Sequence, residues 1–325
     1  MSEAPEPIEA ALELEQLDND IFRSIRLWKP LTGRGAFGGQ IIAQSARAAG
    51  ATVNPELLLH SLHCYFLSFG DVDFPVLYMI DRSRDGRSYA TRSVKAVQKG
   101  KEIFVLNASF QRPEPEQPRF QIDISQHEVF RNIALPENCL SIEESMQNLV
   151  SADPNMSEKV RQYFLNTAEE RRVSSIEIRS AYPADPFEWR RSASSSSSEN
   201  VARSPCPQQA IWFRTRAKMP LDDLFHKCVI AYASDFQFIG TAARALGLRS
   251  SREPRLAMMA SLDHSLHFYH PADASQWLLF VMEAQAAGDG RGLVHGRIYT
   301  QDGKLAVVVQ QEGVVRAQVK KSSKL

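Results

Sequence analysis

The sequence predicts an α+β fold built from two copies of one unit, each a long helix packed on an antiparallel sheet. The first observation behind this prediction is an internal repeat, because four short motifs of the first half recur in the same order in the second half. The second observation is that each half continues from a helical stretch into runs rich in Leu, Val, Phe and Tyr. The recurring motifs are residues 46–50 with 243–247, 60–63 with 264–267, 85–87 with 289–291, and 98–101 with 301–304.

Each half begins with a helix that a glycine ends. The first helix is predicted over residues 40–49, ended by Gly50, and the second over about 235–246, ended by Gly247. Asp-Gly and Lys-Gly pairs between the apolar runs are typical of tight turns in antiparallel hairpins. The strands are predicted over 57–69, 75–81, 87–98 and 103–111 in the first half, and over 256–269, 277–284, 292–300 and 305–316 in the second.

A stretch of different composition separates the two units. It opens with several prolines, has a capping box over 141–144 that predicts a helix to about Val150, and has a second helical stretch over 157–171. The serine-rich stretch 192–199 cannot bury apolar surface, so we expect a mobile loop there. The predicted segments are a disordered N-terminus (1–11), a first domain (12–115), a connector (116–205), a second domain with the catalytic residues (206–318), and an exposed tail (319–325).

Composition excludes several classes of protein. Lys+Arg and Asp+Glu are 38 each, so the chain has no net charge that would hold nucleic acid or an anionic membrane surface. No apolar run approaches the roughly 18 residues of a membrane span. The four cysteines have no paired spacing and indicate reduced thiols in an intracellular protein. A secreted disulfide scaffold, a membrane protein and a histone-like binder are therefore excluded.

The last three residues resemble a targeting signal. Ser323-Lys324-Leu325 is the C-terminal tripeptide that the peroxisomal import receptor recognises. A free terminal carboxylate suits a pocket that captures chain ends. The sequence therefore predicts the peroxisomal matrix as the location and the import receptor as a partner.

The repeat allows the two halves to be compared for reactive groups. The motif matches place Asp235 opposite Gly38, Ser261 opposite Leu57 and Gln311 opposite Ala108. Polar side chains in apolar strands are costly unless they are satisfied, so these asymmetries favour one working site in the second half. Two simpler interpretations stay open: Asp235 caps a helix start, and Gln311 lies at the surface.

Six segments together resemble the acyl-CoA thioesterase II family, and the resemblance extends from about residue 12 to 317. It implies a double hotdog fold, that is, two hotdog domains in tandem, each a long helix wrapped by a curved antiparallel sheet. It also implies hydrolysis of fatty acyl-CoA to a fatty acid and CoA, without a metal or a bound cofactor, by a homodimer. The segments are residues 37–40, 60–66, 84–89, 233–236, 261–265 and 311–316.

The resemblance also implies the site residues. In the family an Asp, a Thr or Ser, and a Gln hold a water, and the matching residues here are Asp235, Ser261 and Gln311. A backbone N–H at a helix start would stabilise the oxyanion, and the glycines Gly38 and Gly39 permit close approach. The further substrate-binding candidates are His60 or His63 for the acyl pocket, and Arg87 with Arg84, Lys95, Lys99 and Lys101 for the CoA phosphates.

Three other kinds of chemistry fit the sequence less well. A serine hydrolase needs a Gly-x-Ser-x-Gly elbow, which is missing, and Asp263, His264 and Ser265 cannot converge because consecutive strand residues face opposite ways. Histidines three apart on a strand do not chelate a metal well, so no metal site is predicted. A hydratase on the same plan needs a histidine near Asp235, and 236–246 contains none. That hydratase and a non-catalytic acyl-CoA binding protein remain the alternatives.

Overall fold

Twelve antiparallel strands form one continuous sheet in the computed structural model, which describes residues 7–127, 130–131, 133–183, 207–248 and 254–319. The order across the sheet is β1-β2-β4-β5-β6-β3-β9-β12-β11-β10-β8-β7. The strands of the first unit are β1 (Leu14–Asp18), β2 (Ile21–Ser24), β3 (Leu58–Phe66), β4 (Leu77–Asp85), β5 (Tyr89–Gln98) and β6 (Lys101–Gln111). Those of the second unit are β7 (Ile176–Tyr182), β8 (Gln208–Thr215), β9 (Leu256–Phe268), β10 (Leu278–Gly288), β11 (Arg291–Thr300) and β12 (Leu305–Ala317).

The strand order is symmetric about its centre. Each unit places its third strand innermost and its first strand outermost, and β3 pairs with β9 where the units meet. Leu62 lies directly opposite Leu266, which is the same position of the repeated His-Ser-Leu-His motif. An approximate two-fold axis therefore passes beside this pair of leucines. The α+β fold made of two like units is confirmed.

Two helices lie side by side beneath this β3–β9 seam. α2 (Gly38–Gly50) follows β2, and α5 (Asp223–Ser234) follows β8. They run antiparallel, because Gly39 at the start of α2 adjoins Tyr232 near the end of α5, while Gly50 adjoins Leu224. A Cβ on Gly39 would lie 2.3 Å from the Tyr232 carbonyl oxygen, so only glycine permits this approach. The remaining helices are α1 (Ile8–Ala11), α3 (Ile142–Ala152), α4 (Glu158–Arg172) and α6 (Gly240–Ala245).

The prediction of a second-half helix over 235–246 is wrong. The main helix lies one element earlier, because the Asp222 carboxylate accepts the Leu224 N–H and starts α5 there. The helix ends with Asp235 as its C-cap, and Gln237 follows with a φ of 61° in the left-handed region. The repeated motif at 243–247 therefore falls on the short α6 and the turn that follows it. Asp235 does not cap a helix start.

Two predicted boundaries also need correction. Residues 8–11 of the expected disordered N-terminus form α1, because Ile8 and Leu12 are buried in the core. The connector over 116–205 contains β7, which pairs with β8 at the sheet edge in the place that β1 has in the first unit. The second unit therefore begins before residue 206. The serine-rich stretch 192–199 and the tripeptide 323–325 lie outside the described residues.

The helices of the connector follow their sequence signals. Ser141 accepts the Glu144 N–H, and the Glu144 carboxylate accepts the Ser141 N–H, so the predicted capping box is confirmed at the start of α3. Across the described ranges, no helix has the length and apolar character needed to cross a bilayer.

Candidate active site

Asp235, Ser261 and Gln311 meet beside the seam between the two units. Gln311 Nε2 lies 2.8 Å from Asp235 Oδ1 and 3.0 Å from Ser261 Oγ, and it donates to both oxygens. The three residues come from the end of α5, from β9 and from β12. The structure thus brings together the three residues that the sequence singled out, which we call the trio.

The geometry of β9 and β12 places the side chains of Ser261 and Gln311 on the same face of the sheet. Gln311 is fully buried between the exposed Gln310 and the partly buried Glu312 on β12, and it lies opposite His264 of β9. Simple alternation would place Ser261 on the other face from His264. Leu262 is an extra residue at a β-bulge, so Ser261 lies opposite Gly313 and faces the same side as Gln311.

The carboxylate of Asp235 depends on the other unit. It lies at the C-terminal end of α5, where the helix dipole disfavours a negative charge. The Gly39 N–H, in the first turn of α2, donates to Asp235 Oδ2 at 2.9 Å and offsets this effect. A Cβ on Gly38 would lie 2.7 Å from the same oxygen. Gly38 and Gly39 therefore belong to the site, but the Gly39 N–H binds the carboxylate and is not available to an oxyanion.

Burial controls the proton affinity of Asp235. Loss of solvent raises the pKa of its carboxyl group above the ordinary value, and this is the largest effect. Hydrogen bonds from Gln311, Gly39 and Ser261 favour the ionised form and oppose that rise. A carboxylate with a raised pKa is a better proton acceptor than one in water.

Two family models match the chain. The one described as acyl-CoA thioesterase matches residues 183–314, and the one described as acyl-CoA thioesterase N-terminal domain matches residues 25–111. The protein of Rattus norvegicus named acyl-coenzyme A thioesterase 8 is 39% identical over 311 residues, which cover 95% of this chain and 89% of that protein. The chain belongs to the acyl-CoA thioesterase II family.

Further relatives extend to bacteria and yeast. Acyl-CoA thioesterase 2 of Haemophilus influenzae is 33% identical over 305 residues, which cover 94% of this chain and 95% of that protein. The yeast protein named peroxisomal acyl-coenzyme A thioester hydrolase 1 (Saccharomyces cerevisiae) is 24% identical over 320 residues, covering 88% of this chain and 87% of that protein.

Solved structures agree with the fold. An acyl-CoA thioesterase II from Mycobacterium marinum has a TM-score of 0.69 and 32% identity, covering 96% of this chain and 98% of that one. A protein with a hot dog fold from Alicyclobacillus acidocaldarius has a TM-score of 0.66 at 16% identity, over 96% and 98% of the two chains, and shows the fold alone. The chain is a thioester hydrolase with a double hotdog fold.

One buried residue of this thioesterase was missed as a candidate. His264 is fully buried, and its Nε2 lies 2.9 Å from the hydroxyl of Ser234, the residue before Asp235. The Ser234 hydroxyl also bonds the Ala231 carbonyl inside α5. His264 therefore ties β9 to the end of the helix that presents Asp235. One feature of the sequence could have pointed to His264: it is the first residue of the second copy of the repeated His-Ser-Leu-His motif, and it lies three residues after Ser261.

An aromatic cluster follows Asp235 in the chain. Phe236, directly after Asp235, stacks on Phe37 with ring centroids 4.6 Å apart. The Arg171 guanidinium of α4 lies 4.9 Å from the Phe236 ring and 5.2 Å from the Trp28 ring. These contacts join segments far apart in sequence, so no local pattern predicts them. They hold the backbone directly after Asp235 against the segments before α2 and at the end of α4.

Three predicted substrate-binding residues lie elsewhere. His60 Nε2 is 2.8 Å from Ser109 Oγ at the opposite end of the seam. His63 is half exposed on the outer face of the sheet and lies 2.5 Å from Asp263 Oδ2. Arg87 is exposed beyond the end of β4. The structure brings none of the three to the trio.

Two of the lysines predicted to bind the CoA phosphates form ion pairs within the protein. Lys95 pairs with Glu102 and Lys99 with Asp71 on exposed parts of the first unit. In the part of the chain that the structure describes, no three His, Cys, Asp or Glu side chains come together as metal ligands would.

The strand register also corrects the internal comparison. Leu62 lies opposite Ala108 and Leu266 opposite Val309, so Ala108 corresponds to Val309 and Phe110 corresponds to Gln311. The residue that follows α2 is Ala51, and it corresponds to Asp235, which follows α5. The first unit still lacks the polar groups, but two of the three corresponding positions differ from those that the motif matches indicated, and only Leu57 for Ser261 stays.

The burial of His264 predicts how stability depends on pH. Burial and the nearby His63 lower its pKa from 6.5 to about 3, so the folded protein keeps it neutral while the unfolded chain protonates it below 6.5. Stability from this residue is therefore present above pH 6.5 and lost as the pH falls, by about 1.4 kcal/mol per pH unit. In denaturant unfolding between pH 7 and 5.5, His264→Asn should remove about 1 kcal/mol of the pH dependence over the whole interval, because the full slope is reached only below pH 6.5. His295→Asn, at an exposed position of β11, is the control, and an equal flattening there would contradict the prediction.

Proposed function

We propose that this thioesterase hydrolyses fatty acyl-CoA, with Asp235 as general base for a water held by Ser261 and Gln311. The observation that carries the proposal is the contact of Gln311 Nε2 with both Asp235 and Ser261, since it collects three polar groups at one buried point. A thioester carbonyl is electrophilic and its thiolate leaves readily, so water needs only moderate activation. No covalent acyl-enzyme is required.

Hydrolysis proceeds by attack of the bound water on the thioester. The water oxygen attacks the thioester carbon while Asp235 takes one of its protons. The tetrahedral intermediate collapses, the carbon–sulfur bond breaks, and the proton passes to the CoA thiolate. The products are the fatty acid and CoA. Ser261 and Gln311 orient the water, which lowers the entropic part of the barrier.

The oxyanion of the intermediate needs a donor. The Gly39 N–H is engaged by Asp235, so the proposal assigns this role to the Gly38 N–H, the first of α2. The helix dipole favours negative charge at that end, and the missing Cβ of Gly38 leaves space beside the carboxylate.

The hydratase alternative fits the geometry less well. Such an enzyme needs a histidine that reaches the substrate together with the aspartate. The nearest histidine in the second-unit strands, His264, is fully buried and its Nε2 bonds Ser234 instead. A non-catalytic acyl-CoA binding protein would have no use for a buried carboxylate with a raised pKa.

Location and assembly complete the proposal. The terminal Ser323-Lys324-Leu325 supports import into the peroxisomal matrix by its receptor, and the yeast relative has a peroxisomal name. A homodimer is supported by apolar side chains exposed at and just beyond the end of β3, namely Tyr65, Leu67 and Phe69, which are about half exposed.

Asp235→Asn should abolish hydrolysis. Thiol release from palmitoyl-CoA is expected to fall by about 10²–10⁴-fold, because the general base is lost. Asp289→Asn is the matched control, since this residue lies in the β10–β11 turn at a φ of 49°, which asparagine also adopts. Asp85 is unsuitable as a control because its carboxylate accepts a hydrogen bond from the buried Arg92. A parent protein that binds palmitoyl-CoA and releases no thiol would establish the binding-protein alternative.

Gln311→Leu should move the acid limb of the rate profile to higher pH. The Gln311 amide lowers the pKa of Asp235, so its loss raises that pKa and the carboxylate becomes protonated at higher pH. Only the ionised form accepts a proton from water, so kcat/KM declines earlier on acidification. Gln310→Leu, on the exposed face of the same strand, is the control. Limbs at the same pH in both variants and the parent would argue against Asp235 as the base.

Deleting Ser323–Leu325 should release the protein from peroxisomes. With a fluorescent protein fused at the N-terminus, the full chain is expected in peroxisomal puncta and the truncated chain in the cytosol. Lys320→Ala keeps the tripeptide and serves as the control. Puncta that persist after the deletion would show that another signal directs import.

A further inference from the structure

The end of the β3–β9 seam opposite the trio holds a cavity of about 490 Å³. The first residues of β3, the last residues of β9, the start of α5 and the segment 113–119 line it. His267 in its wall follows Ser261 by six residues on one strand, so the two ends lie about 20 Å apart. The approximate two-fold axis exchanges the ends of the seam, and the cavity therefore occupies the position that matches the trio in the other unit.

This second end cannot hydrolyse a thioester in the same way. The positions that correspond to Ser261, Asp235 and Gln311 are Leu57, Ala51 and Phe110, all apolar. The cavity nevertheless persists, and its volume falls within the ~300–1,000 Å³ of small-molecule sites. A cavity of this size without catalytic groups is suited to binding alone.

One wall of the cavity carries cationic and imidazole groups. Lys227 on the first turns of α5 has only 11% of its side chain exposed and pairs with Asp223 at 2.7 Å. Burial, His267 and Lys227 together lower the pKa of His60, because positive charge nearby opposes its protonation. An anion placed among Lys227, His60 and His267 would relieve this repulsion.

The lining also has an apolar part. Leu58 and Leu59 of β3 and Phe268 of β9 contribute to it, and the Phe268 ring lies 5.8 Å from Lys227 Nζ. Four prolines complete the lining, and their fixed φ angles make the mouth rigid. Glu114 and Asp223 balance Arg119 and Lys227 in charge, so an anionic group of a ligand would compete with Asp223 for Lys227. The cavity therefore suits a ligand with one anionic group and an apolar body; the prolines are Pro113, Pro115, Pro118 and Pro271.

We propose that this cavity binds a long-chain fatty acid as its carboxylate, with the carboxylate at Lys227 and His267 and the chain against Leu58, Leu59 and Phe268. The choice of a fatty acid among amphiphilic anions rests on the proposed function, because hydrolysis releases this compound beside the protein. The charge pattern and the position at the non-catalytic end do not depend on that function. The enzyme would thus hold its product at a site about 20 Å from the trio.

Palmitate is the probe, and calorimetric titration into the full chain is the measurement. The protein is first saturated with S-hexadecyl-CoA, a thioether that occupies the substrate site and cannot be hydrolysed. One palmitate per chain should still bind, and 1-hexadecanol, which has the chain without the charge, should bind at least ten-fold more weakly. Loss of palmitate binding in the presence of the thioether would overturn the proposal, because the cavity would then be the far part of the substrate site.

Variants locate the bound palmitate. Lys227→Met and His267→Glu should each weaken binding about ten-fold or more, since one removes a cation and the other adds a like charge. His267 is exposed, so His267→Glu tests the idea even if Lys227→Met fails to fold. Lys304→Met, in the exposed β11–β12 turn, is the control. Parent-like binding by His267→Glu would overturn the proposal, whereas variant-sensitive binding in a protein that releases no thiol would refute only the proposed function.

Discussion

The pairing of β3 with β9 is the constraint on which the rest of the molecule depends. It joins two six-stranded sheets into one and fixes where the units meet. With the sheets joined in this register, α2 and α5 lie antiparallel beneath the seam. Their backbones approach so closely at Gly39 that a larger side chain there would displace its neighbours. The start of one helix is thereby placed against the end of the other.

This juxtaposition creates the electrostatics of the site. A carboxylate at the end of α5 meets the negative end of a dipole, and burial adds to the cost of its charge. The first turn of α2 supplies the compensating N–H through Gly39. Asp235 therefore belongs to the second unit by sequence, but a hydrogen bond from the first unit stabilises its negative charge. The trio as it stands in this structure therefore draws on both units.

The sequence was most informative where local patterns decide structure. Gly-containing turns and apolar runs predicted eight of the strands, and the capping box predicted α3. It was least informative where tertiary contacts decide. The bulge at Leu262, which directs Ser261 toward Gln311, has no signature in the sequence. Composition assigns β7 to the connector, because the strand it pairs with, β8, is distant in sequence. His63 looked like a site residue from its motif, yet strand alternation sends it to the outer face.

The repeated motif shows how two units with one architecture came to differ. His60 and His264 hold the same motif position, and each bonds a serine hydroxyl. The partner of His60 is Ser109 on the neighbouring strand, so that contact stays within the sheet. The partner of His264 is Ser234, one residue before Asp235, so the imidazole in the second copy of the motif connects the sheet to the helix end. At the end of the β3–β9 seam that carries the trio, the end of a helix is thus held against the sheet. The other end of the seam lacks this connection, and there the fold keeps a cavity without the polar groups.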